Sequence, residues 1–187
     1  ALRMQQIVSG FLNLEGGEVH RFKDNHRANV LSDLLEDITP NEKVIVWSVF
    51  HEDHDIVKAI LKNLNIDYAE VTGLVKDKQS ELKRFEEDPN CRVMVSSQAA
   101  GGTGVNMIQA STMIYYSKNF SLADDMQSEA RNYRGGSEIH SKITRIDLVA
   151  KGTVDEIILT ALRNKKNLAN SILEIKELLL NHGHIVT

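Results

Sequence analysis

Residues 96–136 read SSQAAGGTGVNMIQASTMIYYSKNFSLADDMQSEARNYRGG, and they are the most informative part of the chain. Its pattern predicts a strand, a glycine-rich loop, a second strand and then a helix. The helix carries Gln127, Arg131 and Arg134, and positions i, i+4 and i+7 fall within a narrow arc of a helix. Arginine is permanently charged and binds phosphate oxygens through paired hydrogen bonds. Two guanidinium groups beside a loop of exposed backbone N–H groups suit a polyphosphate whose charge grows during a reaction.

The glycine-rich loop covers residues 100–106, which read AGGTGVN. Glycine allows close backbone approach, and N–H groups exposed at the start of a short helix would form an anion site. The loop does not match G-x-x-x-x-G-K-[ST], and it does not match G-x-G-x-x-G because Met107 replaces the third glycine. The other interpretation is a tight connection between strand and helix that holds no ligand.

The arginine helix also has two interpretations. One is a solvated face with local ion pairs, such as Glu129 with Arg131, which contribute roughly 0–1 kcal/mol. The other is a phosphate-binding edge. Its position favours the second, because the helix follows a predicted ligand-binding edge and ends at Gly135-Gly136.

Outside this stretch, the apolar residues alternate between strand and helix patterns. Strands are predicted at 44–49, 68–71, 92–96, 112–116 and 143–149. Helices are predicted at 2–14, 24–38, 52–64, 77–86, 122–133 and 153–180, the last with a break near 164–167. This alternation predicts an α/β fold with a parallel sheet and right-handed crossovers. Ligands bind beyond the carboxyl ends of such strands, so the glycine loop and Ser117–Ser121 are expected on the same edge.

Composition restricts the class of protein. With 187 residues, 42% of them hydrophobic, the chain fits one domain with a sizeable core. Its net charge of -4 argues against binding nucleic acid by bulk electrostatics, although residues 117–166 hold more Lys and Arg than Asp and Glu. The single Cys91 fits a structural role in a reducing compartment. No run reaches the roughly 18 apolar residues of a membrane span, and the helical pattern at Ala1 suggests a piece of a longer protein.

A second polar cluster, His51-Glu52-Asp53-His54-Asp55, has a metal-binding and a structural interpretation. Histidines at i and i+3 beside carboxylates could ligate a metal, but the spacing differs from H-E-x-x-H. Acidic residues also favour the first turn of a helix through the helix dipole, and we expect this structural role. The lysines at 142, 151, 165 and 166 are expected to be solvated, with phosphate contact as the alternative.

Taken in order, these segments resemble the motifs of the SWI/SNF-like family, which are DNA-dependent ATPases of helicase superfamily two. Ser97–Met107 resembles motif V, and Gln127-x-x-x-Arg131-x-x-Arg134-x-Gly136 resembles motif VI. The other matching segments are Leu2–Ile38 (helices that enter the lobe), Lys43–Phe50 (motif IV), Val71–Phe85 and Ile143–Leu159 (the stretch that closes the lobe). The resemblance therefore covers nearly the whole chain.

The resemblance implies a RecA-like lobe of the P-loop NTPase type, whose ATP site is completed by an N-terminal lobe of the same protein. Arg131 and Arg134 would be catalytic arginine fingers facing the γ-phosphate, and Gln127, Gly102 and Gly104 would bind the nucleotide. ATP and Mg²⁺ would be used by the complete two-lobed enzyme, and this chain alone would bind neither. Contacts to the DNA backbone, independent of sequence, would come from Ser96, Ser97, Thr103, Asn106 and the start of the 52–64 helix.

This chain departs from the family pattern at several positions. The family usually has Asp and then Trp-Asn-Pro after the motif V strand, where this chain has Ser117 and then Phe120-Ser121-Leu122. Ser137 stands where Gln is common, and Lys78 where Arg is common. These departures suggest a bacterial or phage branch. Because the chain has no Walker A sequence and no D-E-x-[DH] box, we expect it to be half of an active site and inactive alone.

The predicted organisation is an N-terminal helical entry segment (1–40), a RecA-like C-terminal helicase lobe (41–160) and a C-terminal helical extension (161–187). The predicted function is that of a motor lobe in an ATP-dependent double-stranded DNA translocase. The alternatives are a non-catalytic module that binds nucleic acid or protein, and a small Rossmann-type enzyme with a phosphate ligand. The expected location is the cytoplasm of a bacterial or phage-infected cell, or the nucleus if the source is eukaryotic.

Overall fold

The computed structural model describes residues 2–99, 107–133 and 136–182, apart from the side chains of 137, 171, 172 and 174–182. Its α-helices are α1 (Leu2–Ser9), α2 (His26–Ile38), α3 (His51–Asn63), α4 (Lys78–Glu87), α5 (Leu122–Ala130) and α6 (Val154–His182). Its strands are β1 (Phe11–Asn13), β2 (Val19–Arg21), β3 (Val44–Ser48), β4 (Asp67–Val71), β5 (Cys91–Ser97), β6 (Thr112–Tyr115) and β7 (Thr144–Asp147). A short 3-10 helix covers Ser137–Ile139.

Among the described residues, five strands form one sheet in the order β4-β5-β3-β6-β7. Every neighbouring pair is parallel. The central strand β3 reads Val-Ile-Val-Trp-Ser and is buried at every position. Such a continuous apolar run is expected for a parallel strand that is covered on both faces. The predicted α/β fold with a parallel sheet is confirmed.

Helices cover both faces of this sheet because successive strand residues point to opposite sides. On one face, Ile45, Trp47 and Met113 pack with Phe85 of α4. On the other face, Val44, Val46 and Ile114 pack with apolar residues of α2 and α3, which are Leu31, Leu35, Val57 and Leu61. Full burial of one such side chain contributes about 1.5–3 kcal/mol. The packing on the second face therefore holds α3 against β3, and the candidate site begins where β3 ends.

The first segment differs from the predicted helix over 2–14. Helix α1 ends at Ser9, and Gly10 follows with a φ of +97°. The chain then forms an antiparallel hairpin of β1 and β2, which turns at Gly16-Gly17. A left-handed glycine ends a helix readily because it has no Cβ. The apolar residues beyond Ser9 belong to the hairpin and its surroundings, so their helical spacing was misleading.

Two further helix boundaries differ from the prediction. Helix α5 ends at Ala130, three residues before the expected end. Helix α6 continues from Val154 to His182, so the break predicted near 164–167 is wrong. Asparagine and lysine are tolerated inside helices, and that segment contains no Gly or Pro to interrupt it. Among the described residues, no helix has the combined length and apolar character needed to cross a membrane.

Candidate functional site

The carboxyl ends of the parallel strands form the edge where the candidate site lies. Strands β3 and β5 end side by side, with Ser48 opposite Ser97. The backbone N–H of Gln98 donates to the carbonyl of Ser48 at 3.2 Å, which directs the chain into the glycine-rich loop. After that loop, the N–H of Met107 donates to the carbonyl of Arg131 at 3.2 Å. The flanks of the glycine loop and the end of α5 therefore meet at one edge of the sheet.

Arg131 is the C-terminal cap of α5 and keeps helical backbone angles. Its side chain is only 5% exposed. The guanidinium carbon lies 5.5 Å from the centroid of the Trp47 ring, at the end of β3. Gln127 is exposed, although it lies one helical turn away. Gln127 and Arg131, which were predicted to share one stripe of the helix, therefore differ in exposure, because Arg131 packs against Trp47.

Five predicted site residues lie outside the described residues. They are Gly102, Thr103, Gly104, Asn106 and Arg134. Their contacts to nucleotide and DNA remain predictions.

The two serines that end β5 are largely enclosed. Ser96 is fully buried, and its hydroxyl donates to the carbonyl of Val71 on β4 at 3.1 Å. This hydroxyl is used inside the sheet, so the position does not suit the DNA contact expected of it. Ser97 is 8% exposed and lies at the edge itself.

Asp53, in the first turn of α3, is a buried carboxylate at this edge. It is fully buried, and its Oδ2 accepts hydrogen bonds from the Ser117 hydroxyl at 2.5 Å and the Phe50 N–H at 3.3 Å. The Ser117 hydroxyl accepts from the Val49 N–H at 2.9 Å. Burial raises the pKa of Asp53 to about 6, against the hydrogen bonds that lower it.

His54, the next residue, is also buried. Burial lowers the pKa of its imidazole to about 4, so the ring is neutral at pH 7. Neither ring nitrogen has a hydrogen-bond partner in the described part of the chain. The same part contains no group of three His, Cys, Asp or Glu placed to hold a metal ion. The structural interpretation of the 51–55 cluster as the start of a helix is confirmed, since α3 begins at His51.

A cluster of charges, with Lys118 and Asp125 largely buried at its centre, holds α5 against the sheet. Its members are Lys118, Asp125, Glu129, Arg145, Asp147 and Lys166. Asp125 on α5 lies 2.8 Å from both the Lys118 ammonium and the Arg145 guanidinium. Although burial acts in the opposite direction, the bonds from these two cations lower the pKa of Asp125. The carboxylate is therefore ionised at neutral pH.

Aromatic and helical contacts extend this cluster. The Lys118 ammonium and the Arg145 guanidinium lie 4.3 and 4.4 Å from the centroid of the Tyr115 ring. The Tyr115 hydroxyl lies 3.0 Å from the Ser128 hydroxyl on α5. These contacts set the orientation of the helix that ends at Arg131. The sequence alone did not predict which charges pair in this cluster, because the paired residues come from four separate elements.

A groove of about 770 Å³ lies at the opposite edge of the sheet, before the starts of the strands. It is lined by basic residues that include Lys43, Arg92 and Lys142. Lys43 donates to the carbonyl of Asp88, and Arg92 donates to that of Thr39, both at 2.8 Å. Lys43 and Arg92 are therefore used within the fold, so the groove is a weaker candidate than the carboxyl edge.

Residues 26–136 match the model of the family described as "Helicase conserved C-terminal domain". This match covers more than half of the chain, so the chain belongs to that family. Its five-stranded parallel sheet flanked by helices is the RecA-like fold of the C-terminal lobe, as the sequence resemblance implied.

The named relatives are ATP-dependent helicases of the Snf2-like group. The chain is 30% identical over 155 residues to "ATP-dependent helicase FUN30" of Saccharomyces cerevisiae, covering 81% of this chain and 14% of the relative. It is 28% identical over 175 residues to "Uncharacterized ATP-dependent helicase MG018" of Mycoplasma genitalium, covering 92% of this chain and 16% of the relative. The chain thus spans about one sixth of these relatives or less.

A solved structure shows the same architecture. "Crystal structure of the C-terminal part of Fun30 ATPase domain" superposes with a TM-score of 0.69 at 26% identity, over 74% of this chain and 46% of that one. The relatives come from a yeast and a bacterium. They do not support a bacterial or phage source over a eukaryotic one.

Proposed function

We propose that this chain is the second motor lobe of an ATP-dependent double-stranded DNA translocase. Membership of the helicase C-terminal family supports this proposal, and one contact carries it. The Met107 N–H to Arg131 carbonyl bond joins the end of the glycine-rich loop to the end of the arginine helix at the carboxyl edge of the sheet. When a helix that contacts the nucleotide is bonded to the end of a loop that contacts DNA, a displacement of one can displace the other.

The ATP site would be completed by an N-terminal lobe that brings the phosphate-binding loop and Mg²⁺. Arg134 would then stabilise charge developing on the γ-phosphate, a contribution of about 10³–10⁵ in rate for arginine fingers. Arg131 lies buried against Trp47, so its guanidinium would have to leave this contact to reach the phosphate. Gln127, Gly102 and Gly104 would contact the nucleotide.

DNA would be held through its backbone, which carries no sequence information. Ser97, Thr103 and Asn106 would supply these contacts together with the exposed His51 at the start of α3. Closing and opening of the cleft during each ATP cycle would move the two lobes along the duplex. Location follows from the source of the protein and remains a prediction.

The deciding experiment replaces Arg134 by alanine in a protein that carries both lobes. We expect DNA-stimulated ATP hydrolysis to fall at least 10³-fold, with the melting temperature unchanged. Lys151→Ala is the matched control, because it removes an exposed cation from outside the proposed site. Hydrolysis at the wild-type rate in Arg134→Ala would refute the finger role.

The burial of Arg131 favours a second candidate, a non-catalytic module that binds nucleic acid or protein. It predicts DNA binding by the 187-residue chain and no ATPase in any two-lobed form. Calorimetry with ATP on the isolated chain separates both candidates from a small Rossmann-type enzyme, since only that enzyme would bind the nucleotide tightly on its own.

A further inference from the structure

Three loops of the carboxyl edge are joined through one pair of side chains, Asp53 and Ser117. The β5 end is bonded to β3 by the Gln98 N–H on the Ser48 carbonyl. The next residue of the β3–α3 loop, Val49, donates to the Ser117 hydroxyl at 2.9 Å, and that hydroxyl donates to Asp53 at 2.5 Å. The pair therefore connects the approach to the glycine-rich loop with the β6–α5 loop.

On its other side, the same pair leads to the arginine helix. Lys118 follows Ser117 directly and lies 2.8 Å from Asp125 on α5. Helix α5 ends at Ala130, and Arg131 is its C-terminal cap. A movement of Ser117 would therefore reach Arg131 through Lys118 and α5. A movement of Val49 would reach the end of β5 through the neighbouring Ser48. The proposed DNA-contacting side and the proposed nucleotide side share this one connection.

The surroundings of Asp53 restrain it from several elements. Arg27 of α2 and Ser9 at the end of α1 both lower the pKa of Asp53. Together with burial, the charge of Asp53 in turn raises the pKa of Tyr116, which directly follows β6. Arg27 lies over the Tyr116 ring at 5.5 Å and donates to the Ser9 hydroxyl at 3.2 Å. Arg27 is also ion-paired with Asp155 at the start of α6. His54, on the same helix as Asp53, is neutral at pH 7.

A helix cap alone does not explain this arrangement. The bond from the Phe50 N–H is a capping bond within α3. The bond from the Ser117 hydroxyl comes from a residue 64 positions further along the chain, and it takes no part in capping α3. A single ionised oxygen accepts both bonds, and such charge-assisted bonds are about twice as strong as neutral ones.

We propose that Asp53 is a positioning residue of the motor lobe, whose ionised carboxylate holds the β3–α3 and β6–α5 loops at a fixed spacing so that DNA contact and nucleotide contact are coupled. This proposal rests on the motor function proposed above. Protonation weakens the coupling. A proton on Oδ2 competes with the two donors for that oxygen, and a proton on Oδ1, which has no hydrogen-bond partner among the described residues, makes Oδ2 a neutral and therefore weaker acceptor.

The test uses Asp53→Asn and Ser117→Ala in the two-lobed protein, with basal and DNA-stimulated ATPase measured from pH 5 to 8. We expect stimulation by DNA to fall about tenfold in both variants, with basal ATPase within twofold of wild type. The Asp53→Asn/Ser117→Ala double variant is expected to lose no more than either single variant. In wild type, stimulation should rise with pH around 6, and this rise should be lost in Asp53→Asn.

Asp77→Asn is the matched control, because the Asp77 carboxylate accepts from the Ser80 N–H at the start of α4 and serves only as a helix cap among the described contacts. It should leave stimulation by DNA unchanged. If Asp53→Asn fails to fold, two measurements still test the positioning role. They are the DNA stimulation of Ser117→Ala and the amide NMR signals of Val49 and Lys118 in the wild-type 187-residue chain. These signals should titrate together near pH 6.

The outcomes separate the two proposals. A wild-type protein without DNA-stimulated ATPase would end the motor proposal itself. A stimulated wild-type enzyme whose Ser117→Ala variant keeps full stimulation, or whose two amide signals titrate independently, would overturn the positioning role alone.

Discussion

Two adjacent buried residues, Asp53 and His54, respond to pH in opposite directions. Burial raises the pKa of Asp53 from 3.8 to about 6, so the folded state holds the proton more tightly and stability falls as pH rises through this range. Burial lowers the pKa of His54 from 6.5 to about 4, so stability falls as pH drops from 6.5 towards 4. Each effect reaches about 3 kcal/mol at 1.36 kcal/mol per pKa unit. Between pH 4 and 6 they oppose each other.

Asp53→Asn and His54→Leu should therefore change the slope of the free energy of unfolding against pH in opposite directions. Asp53→Asn leaves only the histidine effect of this pair, so its free energy of unfolding should fall relative to wild type as pH drops from about 6 to 4. His54→Leu leaves only the carboxylate effect, so its relative stability should fall as pH rises over the same interval. Urea unfolding at half-unit pH steps measures both. Parallel pH profiles for the three proteins would contradict the burial argument.

At the scale of elements, the entry hairpin depends on one glycine that ends α1. Gly10 has a φ of +97°, and a Cβ built there would lie 2.0 Å from Asn25 Nδ2. Asn25 cannot move away cheaply, because this amide donates to the Ser9 carbonyl at 2.9 Å and the Tyr116 hydroxyl at 3.1 Å. The side chain also caps α2 through the Ala28 N–H. The junction of α1, α2 and β6 therefore requires glycine.

Gly10→Ala is expected to destabilise the chain by more than about 3 kcal/mol, through backbone strain together with loss of the Asn25 bonds. Gly16→Ala is the matched control, since Gly16 has a φ of +100° and open space around its Cβ position. It should cost only the strain, about 1–2 kcal/mol. Equal losses in the two variants, measured by chemical denaturation, would show that the Asn25 contact contributes nothing.

At the scale of the whole molecule, the charge cluster around Asp125 ties β6, β7, α5 and α6 into one body. Lys118, Arg145 and Asp147 approach one another from the ends of the strands, and Lys166 of α6 lies 3.2 Å from Glu129 on α5. Removing one member of a buried ion pair is strongly destabilising, because the remaining charge stays buried without compensation. The cluster is therefore expected to hold α5, and with it Arg131, in a single orientation.

Asp125→Asn should lower the free energy of unfolding by about 3 kcal/mol, because it leaves two buried cations with less compensation. Glu87→Gln is the control, since its partner Lys83 lies 3.9 Å away on the surface of α4, where exposed pairs contribute roughly 0–1 kcal/mol. Urea denaturation of both variants at pH 7 gives the comparison. Similar losses would mean that the cluster is no stronger than a surface pair.

The pattern of apolar residues alone determined the parallel sheet, since each predicted strand lies within a residue or two of an observed one. Burial on both faces requires a continuous apolar run such as residues 44–47, and the sequence shows this run directly. The same reading failed for residues 10–14, where a left-handed Gly10 stops the helix. It also failed inside α6, where residues 164–167 suggested a break although they include no Gly or Pro to interrupt the helix.

The sequence alone also determined the family, because the glycine segment and the arginine helix keep their order and spacing in the chain. Only the tertiary structure decided that Arg131 lies against Trp47 and that Asp53 meets Ser117. Those partners lie 84 and 64 positions apart, and a local pattern has no information on which distant side chains the fold will bring together. Spacing along one helix is set by backbone geometry, whereas burial and pKa depend on everything that packs around a residue.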